Sequence, residues 1–235
     1  MIWWLLFLFT CYAMLIISLA VGFISIDEFK GKDHKDETTF SVIIPFRNEA
    51  NNLPNVLKSI SELHYSKELV EFIFVDDASS DASVNIIQNF ISKLTMTTQV
   101  IATIRSSNSP KKDAISTAIS IAKNTWIITT DADCMVPQNW LKKLNSCIQE
   151  KDLNMVVAPV NYKAKNNFLA QFQWLDFMSM QGSTIGGFGL NFPFLCNGAN
   201  LAYKKDVFSR LHGFEGNNTM ASGDDIFLFE TFLGH

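Results

Sequence analysis

The sequence predicts an α/β fold with a mostly parallel central sheet, preceded by one transmembrane helix. Three observations point there. From Phe40 onward, short apolar runs alternate with amphipathic stretches, the pattern of strands and helices in βαβ units. The short runs are continuously apolar, as strands buried on both faces must be. Ahead of them, residues 2–26 carry no charge at all.

The uncharged run is long enough to cross a bilayer as a helix, which needs about 20 residues. Trp3 and Trp4 lie at its outer end and Tyr12 within it, the aromatic types found at membrane interfaces. A cleaved signal peptide usually has a basic start and a shorter apolar core, so a retained anchor fits better. Lys30, Lys32 and Lys35 follow, and the positive-inside tendency then puts the downstream domain in the cytoplasm. Residues 27–39 are polar and read as a linker. The expected organisation is an anchor over 1–26, a linker over 27–39 and one domain from 40 to 235.

Within that domain, residues 40–46 are β-rich and open the sheet. Leu53, Val56, Leu57, Ile60 and Leu63 recur at helical spacing. Residues 70–75 are a second strand. Residues 82–94 are helical, with Asp81 as the expected N-cap. Residues 99–104 are a third strand, 114–122 a helix and 126–130 a fourth strand. Pro137 suits the first turn of a helix carrying Trp140, Leu141, Leu144 and Ile148, and 155–160 read as another strand. Phe168, Phe172, Trp174, Leu175, Phe177 and Met178 suggest a helix with too much apolar surface for a polar face, either core or membrane interface. Gly182, Gly186, Gly187 and Gly189, ahead of Pro193, read as a flexible lid or an ordinary loop.

The composition narrows the function. A net charge of −4 with no Lys/Arg block argues against nucleic acid as the main partner. The four cysteines, Cys11, Cys134, Cys147 and Cys196, form no CxxC pair, which argues for free thiols over a disulfide framework or zinc site. His34, His64, His212 and His235 show no metal-ligand spacing.

In parallel sheets ligands bind beyond the carboxyl ends of the strands, and two predicted strand ends are acidic. Asp76 and Asp77 follow the second strand. Buried unpaired they would be costly, and accepting hydrogen bonds from a nucleobase is one use for them. Asp131 and Asp133 follow the fourth. In extended chain, residues two apart point the same way, so both carboxylates can face one hard cation, Mg2+ or Mn2+, whose shell substrate phosphates would complete. A turn with a helix cap is the bland alternative at the first end and a solvated turn at the second. An aspartyl phosphotransferase also uses a strand-end DxD, but after an early strand rather than the fourth.

These residues form part of a longer ordered set: Ile44-Pro45-Phe46-Arg47-Asn48-Glu49, Asp76-Asp77-Ala78-Ser79-Ser80-Asp81, Pro110-Lys111-Lys112-Asp113-Ala114, Asp131-Ala132-Asp133, Gly198-Ala199-Asn200-Leu201-Ala202-Tyr203 and Ser222-Gly223-Asp224-Asp225. Together, from about Phe40 to Glu230, they resemble inverting family 2 glycosyltransferases, among them membrane-bound synthases of polysaccharides and glycolipids. The resemblance implies a GT-A type catalytic domain that moves a sugar from a nucleotide diphosphate donor, UDP-sugar first, to a hydroxyl-bearing glycan or lipid acceptor at the membrane. It puts Pro45, Arg47 and Glu49 under the nucleotide, Asp76 or Asp77 on uracil, and Lys112 or Lys111 near the phosphates. It has Asp131 and Asp133 hold the diphosphate through a divalent metal. Gly198, Ala199, Asn200 and Asp224 fall on the acceptor side, and Asp225 matches the general base. The chain ends shortly after Asp225, whereas family members continue, often into further transmembrane helices, so the domain reads as C-terminally incomplete. A non-catalytic nucleotide-sugar-binding assembly subunit and a metal-dependent nucleotidyltransferase are the alternatives. The Gly-poor turn at residues 46–48 disfavours the latter.

Overall fold

A computed structural model of the chain describes residues 1–92, 95–162, 164–216 and 223–234. In chain order the elements are α1 (Ile2–Ser25), β1 (Phe40–Phe46), α2 (Leu53–Ser61), β2 (Val70–Asp76), α3 (Ser83–Ile91), β3 (Thr97–Ala102), α4 (Pro110–Ile121), β4 (Trp126–Thr129), α5 (Trp140–Glu150), β5 (Met155–Val157), α6 (Phe168–Gly189), β6 (Leu201–Lys204), α7 (Lys205–Arg210) and α8 (Asp224–Leu233). They fall into two compact units. One combines residues 1–29 with 159–196, the other residues 30–158 with the chain from 197 onward.

The larger unit is built on a sheet of order β3-β2-β1-β4-β6-β5. The β1–β2, β2–β3 and β1–β4 pairs are parallel, and β6 runs antiparallel to both β4 and β5. Side chains alternate across the sheet, and both faces are covered. Val42, Ile44, Phe72, Phe74 and Ile128 meet Leu53, Val56, Leu57 and Ile60 of α2, Ile87 of α3 and Trp140, Leu141 and Leu144 of α5. Ile43, Ile73, Val75, Ile127 and Tyr203 meet Ala114, Ile115, Ala118 and Ile119 of α4, with Phe208 of α7 and Leu228 of α8. That double covering is why these strands are apolar at most positions on both faces, with the buried Ser41 hydroxyl donating to Glu71 at 2.6 Å between them. The parallel strands β1, β2 and β4 also deliver their carboxyl ends to one edge.

Several sequence expectations shift by a few residues. β3 spans 97–102 because it pairs with β2 from Glu71↔Thr97 to Asp76↔Ala102 and stops where its partner stops. Helix α3 begins at Ser83, so Asp81 sits one residue before the N-cap position. Its carboxylate still accepts from Ser83 N at 2.9 Å. The expected end of that helix, residue 94, lies outside the described residues. Pro137 precedes α5 instead of opening it, since its carbonyl accepts from Trp140 N in a turn. The fifth strand is only Met155–Val157. Strand β6 was not read from the sequence.

The polar segment before β1 is hydrogen-bonded into this unit. Buried Asn145 of α5 accepts from Thr38 N at 3.1 Å and donates to Lys35 O at 3.1 Å, and Asp36 accepts from Ser66 N and Oγ.

The smaller unit is a pair of long helices. At 24 residues and 1.5 Å per residue, α1 is about 36 Å long, more than the roughly 30 Å of a bilayer core. It is long and apolar enough to cross a membrane by length and composition. Helix α6 is capped by Asn167, whose Oδ1 accepts from Ala170 N at 2.9 Å. The glycines expected in a lid or loop are instead inside α6. A Cβ built on Gly186 would overlap the carbonyl of Leu19, and one on Gly189 that of Gly22. Glycine costs a helix about 1 kcal/mol relative to alanine. Here it is what lets two backbones touch, as small residues do between membrane helices. At the other end of α6, Phe168 is 87% exposed and Leu169, Phe172 and Leu175 are exposed too, so the apolar residues of this half are not core.

Candidate active site

The carboxyl ends of β1, β2 and β4 and the first turn of α4 enclose a cleft of about 310 Å³. Pro45, Phe46, Arg47, Glu49, Asp77, Pro110, Lys111, Ala114, Asp131, Ala132 and Asp133 line it.

The loops after β1 and β2 are laced together. Asn48 N donates to Ser79 Oγ at 3.0 Å, Ser80 N to Asn48 Oδ1 at 2.8 Å, and Glu49 N to Ser83 Oγ at 2.8 Å. Asn48 and Ala78 adopt left-handed backbone, at φ 57° and 58°. Asparagine tolerates that region. Alanine pays roughly 1–2 kcal/mol for it. The Glu49 carboxylate accepts from Asn52 Nδ2 at 2.7 Å.

Sequence left Asp76 and Asp77 equivalent, and the structure separates them. Asp76 ends β2, and its carboxylate accepts from Ser79 N at 2.9 Å within the turn. Asp77, on the opposite side of the chain, lines the cleft. Its carboxylate meets Arg105 at 2.5 Å and Arg47 at 3.6 Å, and its side chain is 11% exposed. Arg105 was missed in the sequence. The only local signal was a basic residue just past a strand end, and it becomes meaningful only because β3 lies beside β2.

Lys111 and Lys112 are separated in the same way. Successive helical residues point about 100° apart. Lys111 reaches the cleft, where Nζ lies 2.8 Å from Asp131 Oδ1. Lys112 is 1% exposed, with its Nζ 5.6 Å from the centre of the Phe227 ring, and it does not line the cleft. Of the two lysines that the family resemblance offers, Lys111 and not Lys112 lines the cleft. Asp113, also buried, accepts from Ser106 N, Ser106 Oγ and Ser107 N at 2.9–3.1 Å, which pins the loop after Arg105 onto α4. Burial pushes its carboxyl up, but hydrogen bonds from Ser107 and Ser106 outweigh that and hold it below the usual range.

Asp131 and Asp133 converge by a route other than the expected one. β4 ends at Thr129, and a turn closed by Cys134 N donating to Asp131 O at 3.1 Å gathers the two carboxylates. With Cys134 they offer donor atoms within 4.8 Å of one another. Paired carboxylates with room for phosphates and water fit Mg2+ or Mn2+. The Cys134 thiol, expected only to be free, is pushed up to about 12 by burial and by the charges of Asp133 and Asp131, and it donates to Asp133 Oδ1 at 3.5 Å.

A second constellation joins residues far apart in sequence. The turn at Gly198–Asn200 precedes β6. Thr129 Oγ1, two residues before Asp131, donates to Gly198 O at 2.7 Å, and Gly198 N donates to Asp225 Oδ2 at 2.9 Å. Asp225 Oδ1 accepts from Ile226 N at 2.9 Å. Ala199 is buried, and Asn200 Oδ1 accepts from Trp140 Nε1 at 2.9 Å. Asp224 opens α8, but its side chain, like Ser222, lies outside what is described.

Residues 41–211 match the family described as Glycosyl transferase family 2. Among relatives, the chain is 26% identical over 186 residues to Glycosyltransferase AglE of Haloferax volcanii, covering 79% of this chain and 58% of AglE. It is 29% identical over 139 residues to Glycosyltransferase GlyG of Streptococcus pneumoniae, covering 58% of this chain and 44% of GlyG. It thus spans about half the length of these relatives. Among solved structures, it is similar to the mannosyltransferase PcManGT from Pyrobaculum calidifontis in complex with GDP-Man and Mn2+. That match has a TM-score of 0.65 and 18% identity, over 88% of this chain and 56% of that one. It is also similar to S. aureus TarS 1-349 in complex with UDP-GlcNAc, with a TM-score of 0.59 and 17% identity, over 83% of this chain and 54% of that one. These structural likenesses bear out the expected α/β fold.

Proposed function

The chain belongs to glycosyl transferase family 2, and on that premise we propose that it transfers a sugar, with inversion, from a nucleotide diphosphate donor, UDP-sugar first, to a hydroxyl of a glycan or lipid at the membrane. The donor takes the cleft. Asp77, its charge offset by Arg47 and Arg105, accepts N–H groups of the base. Pro45 and Glu49 sit under the nucleotide, and Lys111 faces the phosphates. Asp131 and Asp133 hold the divalent ion, which supplies charge stabilisation on the departing diphosphate. The GDP-Man and Mn2+ bound to PcManGT and the UDP-GlcNAc bound to TarS support that reading of donor and ion.

Asp225 is the general base. The acceptor O–H gives its proton to the Asp225 carboxylate as its oxygen bonds to the anomeric carbon. The bond from that carbon to the diphosphate oxygen breaks, and its electron pair leaves with the diphosphate. The observation that carries this reading is the path Thr129–Gly198–Asp225, which ties the candidate base to the end of the strand that leads into Asp131. Gly198, Ala199, Asn200 and Asp224 belong to the acceptor side. The bonds to Gly198 N and Ile226 N orient the carboxylate and leave each oxygen a lone pair for the incoming proton.

In the full-length protein, Asp225→Asn should bind UDP and Mn2+ normally while transfer falls about 10²-fold or more. Normal turnover in that variant would make Asp225 a helix cap only and would require a different general base. We propose also that α1 anchors the enzyme with its catalytic domain cytoplasmic. Protease applied to sealed vesicles that cuts the domain only from the opposite side would reverse that topology.

A further inference from the structure

Lys111 stands in the first turn of α4, where the positive end of the helix dipole disfavours a cation. What holds it there in part is Asp131, 2.8 Å away, and Asp131 is also one of the groups able to ligate a divalent ion. An ammonium and a divalent ion sharing one carboxylate lie close enough to repel strongly. The Lys111 and Asp131 side chains are 35% and 40% exposed, so their pair is weak and exchangeable, whereas in the neighbouring Arg105–Asp77 pair the carboxylate is only 11% exposed.

We infer that Lys111 is a built-in counter-ion for Asp131, which the metal displaces efficiently only when a diphosphate arrives to receive the ammonium. This rests on the donor reading above. A metal arriving alone must drive the ammonium off Asp131 and leave it beside a helix N-terminus. A diphosphate entering with the metal gives the ammonium an anion inside the same cleft, within reach of a side chain with four flexible carbons. Lys111 therefore opposes the metal in the empty cleft and aids the nucleotide in the filled one. As a positioning residue it favours joint loading of metal and donor over binding of the metal alone.

The test is calorimetry on the full chain in detergent, titrating Mn2+ alone, UDP alone in EDTA, and UDP in saturating Mn2+. Lys111→Met should bind Mn2+ alone about three- to tenfold tighter and metal-free UDP weaker by a similar factor. Lys111→Gln, a second neutral variant that keeps a hydrogen-bond donor, should change both in the same directions, and Lys111→Arg should follow the wild type on the Mn2+ side. In an Asp131→Asn background, Lys111→Met should no longer tighten Mn2+. Weaker UDP binding with unchanged Mn2+ affinity would reduce Lys111 to a phosphate contact and overturn the inference. Loss of both affinities in the Met and Gln variants would do so as well. If the wild type binds neither UDP nor GDP with any Mn2+, it is the donor reading that fails, and the Mn2+ titrations alone still decide whether Lys111 opposes the metal.

Discussion

The two acidic strand ends of the cleft carry the same functional group and handle its charge in opposite ways. At the end of β2, Asp77 is nearly buried and meets two guanidinium groups, from Arg47 and Arg105. At the end of β4, Asp131 is more open and meets the single flexible ammonium of Lys111, while Asp133 is exposed. A carboxylate fixed by two planar cations is a rigid acceptor with its charge already offset, suited to neutral N–H groups. Two neighbouring carboxylates, one of them paired with a mobile cation, are under-neutralised and suit an exchangeable second cation. Position on the sheet is the same. The difference lies in the cations, and these come from the loops after β1 and β3 and from α4.

The sharpest way to break this comparison is to neutralise one side at a time. Asp133→Asn should lower Mn2+ affinity about 10²-fold, since a hard cation loses one of two carboxylates. UDP binding in EDTA should not weaken, since the variant removes a negative charge that faces the diphosphate. Calorimetry showing unchanged Mn2+ affinity would remove Asp133 from the cation site.

Asp77→Asn should do the converse. Metal affinity stays constant while UDP affinity falls about tenfold, the scale of weakening a charge-assisted hydrogen bond. An equal loss of Mn2+ binding would show that the two strand ends act as one electrostatic site.

Asp113 links both ends, because its carboxylate holds the loop after Arg105 onto the helix that carries Lys111. Its acidity is raised in the folded state, so its contribution to stability is complete above the ordinary carboxylate value near 4 and is lost as pH falls through the lower, folded value. Wild-type unfolding free energy should therefore drop more steeply below about pH 4 than that of Asp113→Asn. Parallel curves in urea titrations at each pH would remove Asp113 from the acid response.

The smallest effect is expected at Ala78, the left-handed residue beside Asp77. Glycine there relieves roughly 1–2 kcal/mol of strain but costs about 0.5–1 kcal/mol in unfolded-chain entropy. Ala78→Gly should stabilise by about 0.5 kcal/mol with UDP affinity intact. Lower stability would mean that the Ala78 methyl matters for packing of this turn.

Much of this was legible before any coordinates. Residues 40–46 are legible as the first strand with the bounds they have, because a strand buried on both faces is apolar at most positions, whichever side each faces. The acidic strand ends were legible because parallel strands place their ligand-facing termini at a fixed point in the local pattern. What failed locally had physical causes too. The glycines of α6 read as a lid or an ordinary loop because helical glycine is unfavourable in isolation, and only the backbone contact with α1 compensates for it. Strand β6 went unread because its identity depends on antiparallel pairing with β4 and β5, not on its own four residues.

By itself the sequence determined the order of strands and helices from β1 to β5, the uncharged helix ahead of them, and the ordered motifs that mark the family. All of these are set by residue type and spacing along the chain. Only the tertiary structure decided which member of each adjacent pair faces the cleft, Asp77 over Asp76 and Lys111 over Lys112. It alone brought Arg105 to Asp77 and Asp225 to Gly198. The reason is rotational and long-range. Neighbouring side chains on a strand or helix point in different directions, and which direction meets the cleft is set by packing against elements distant in sequence.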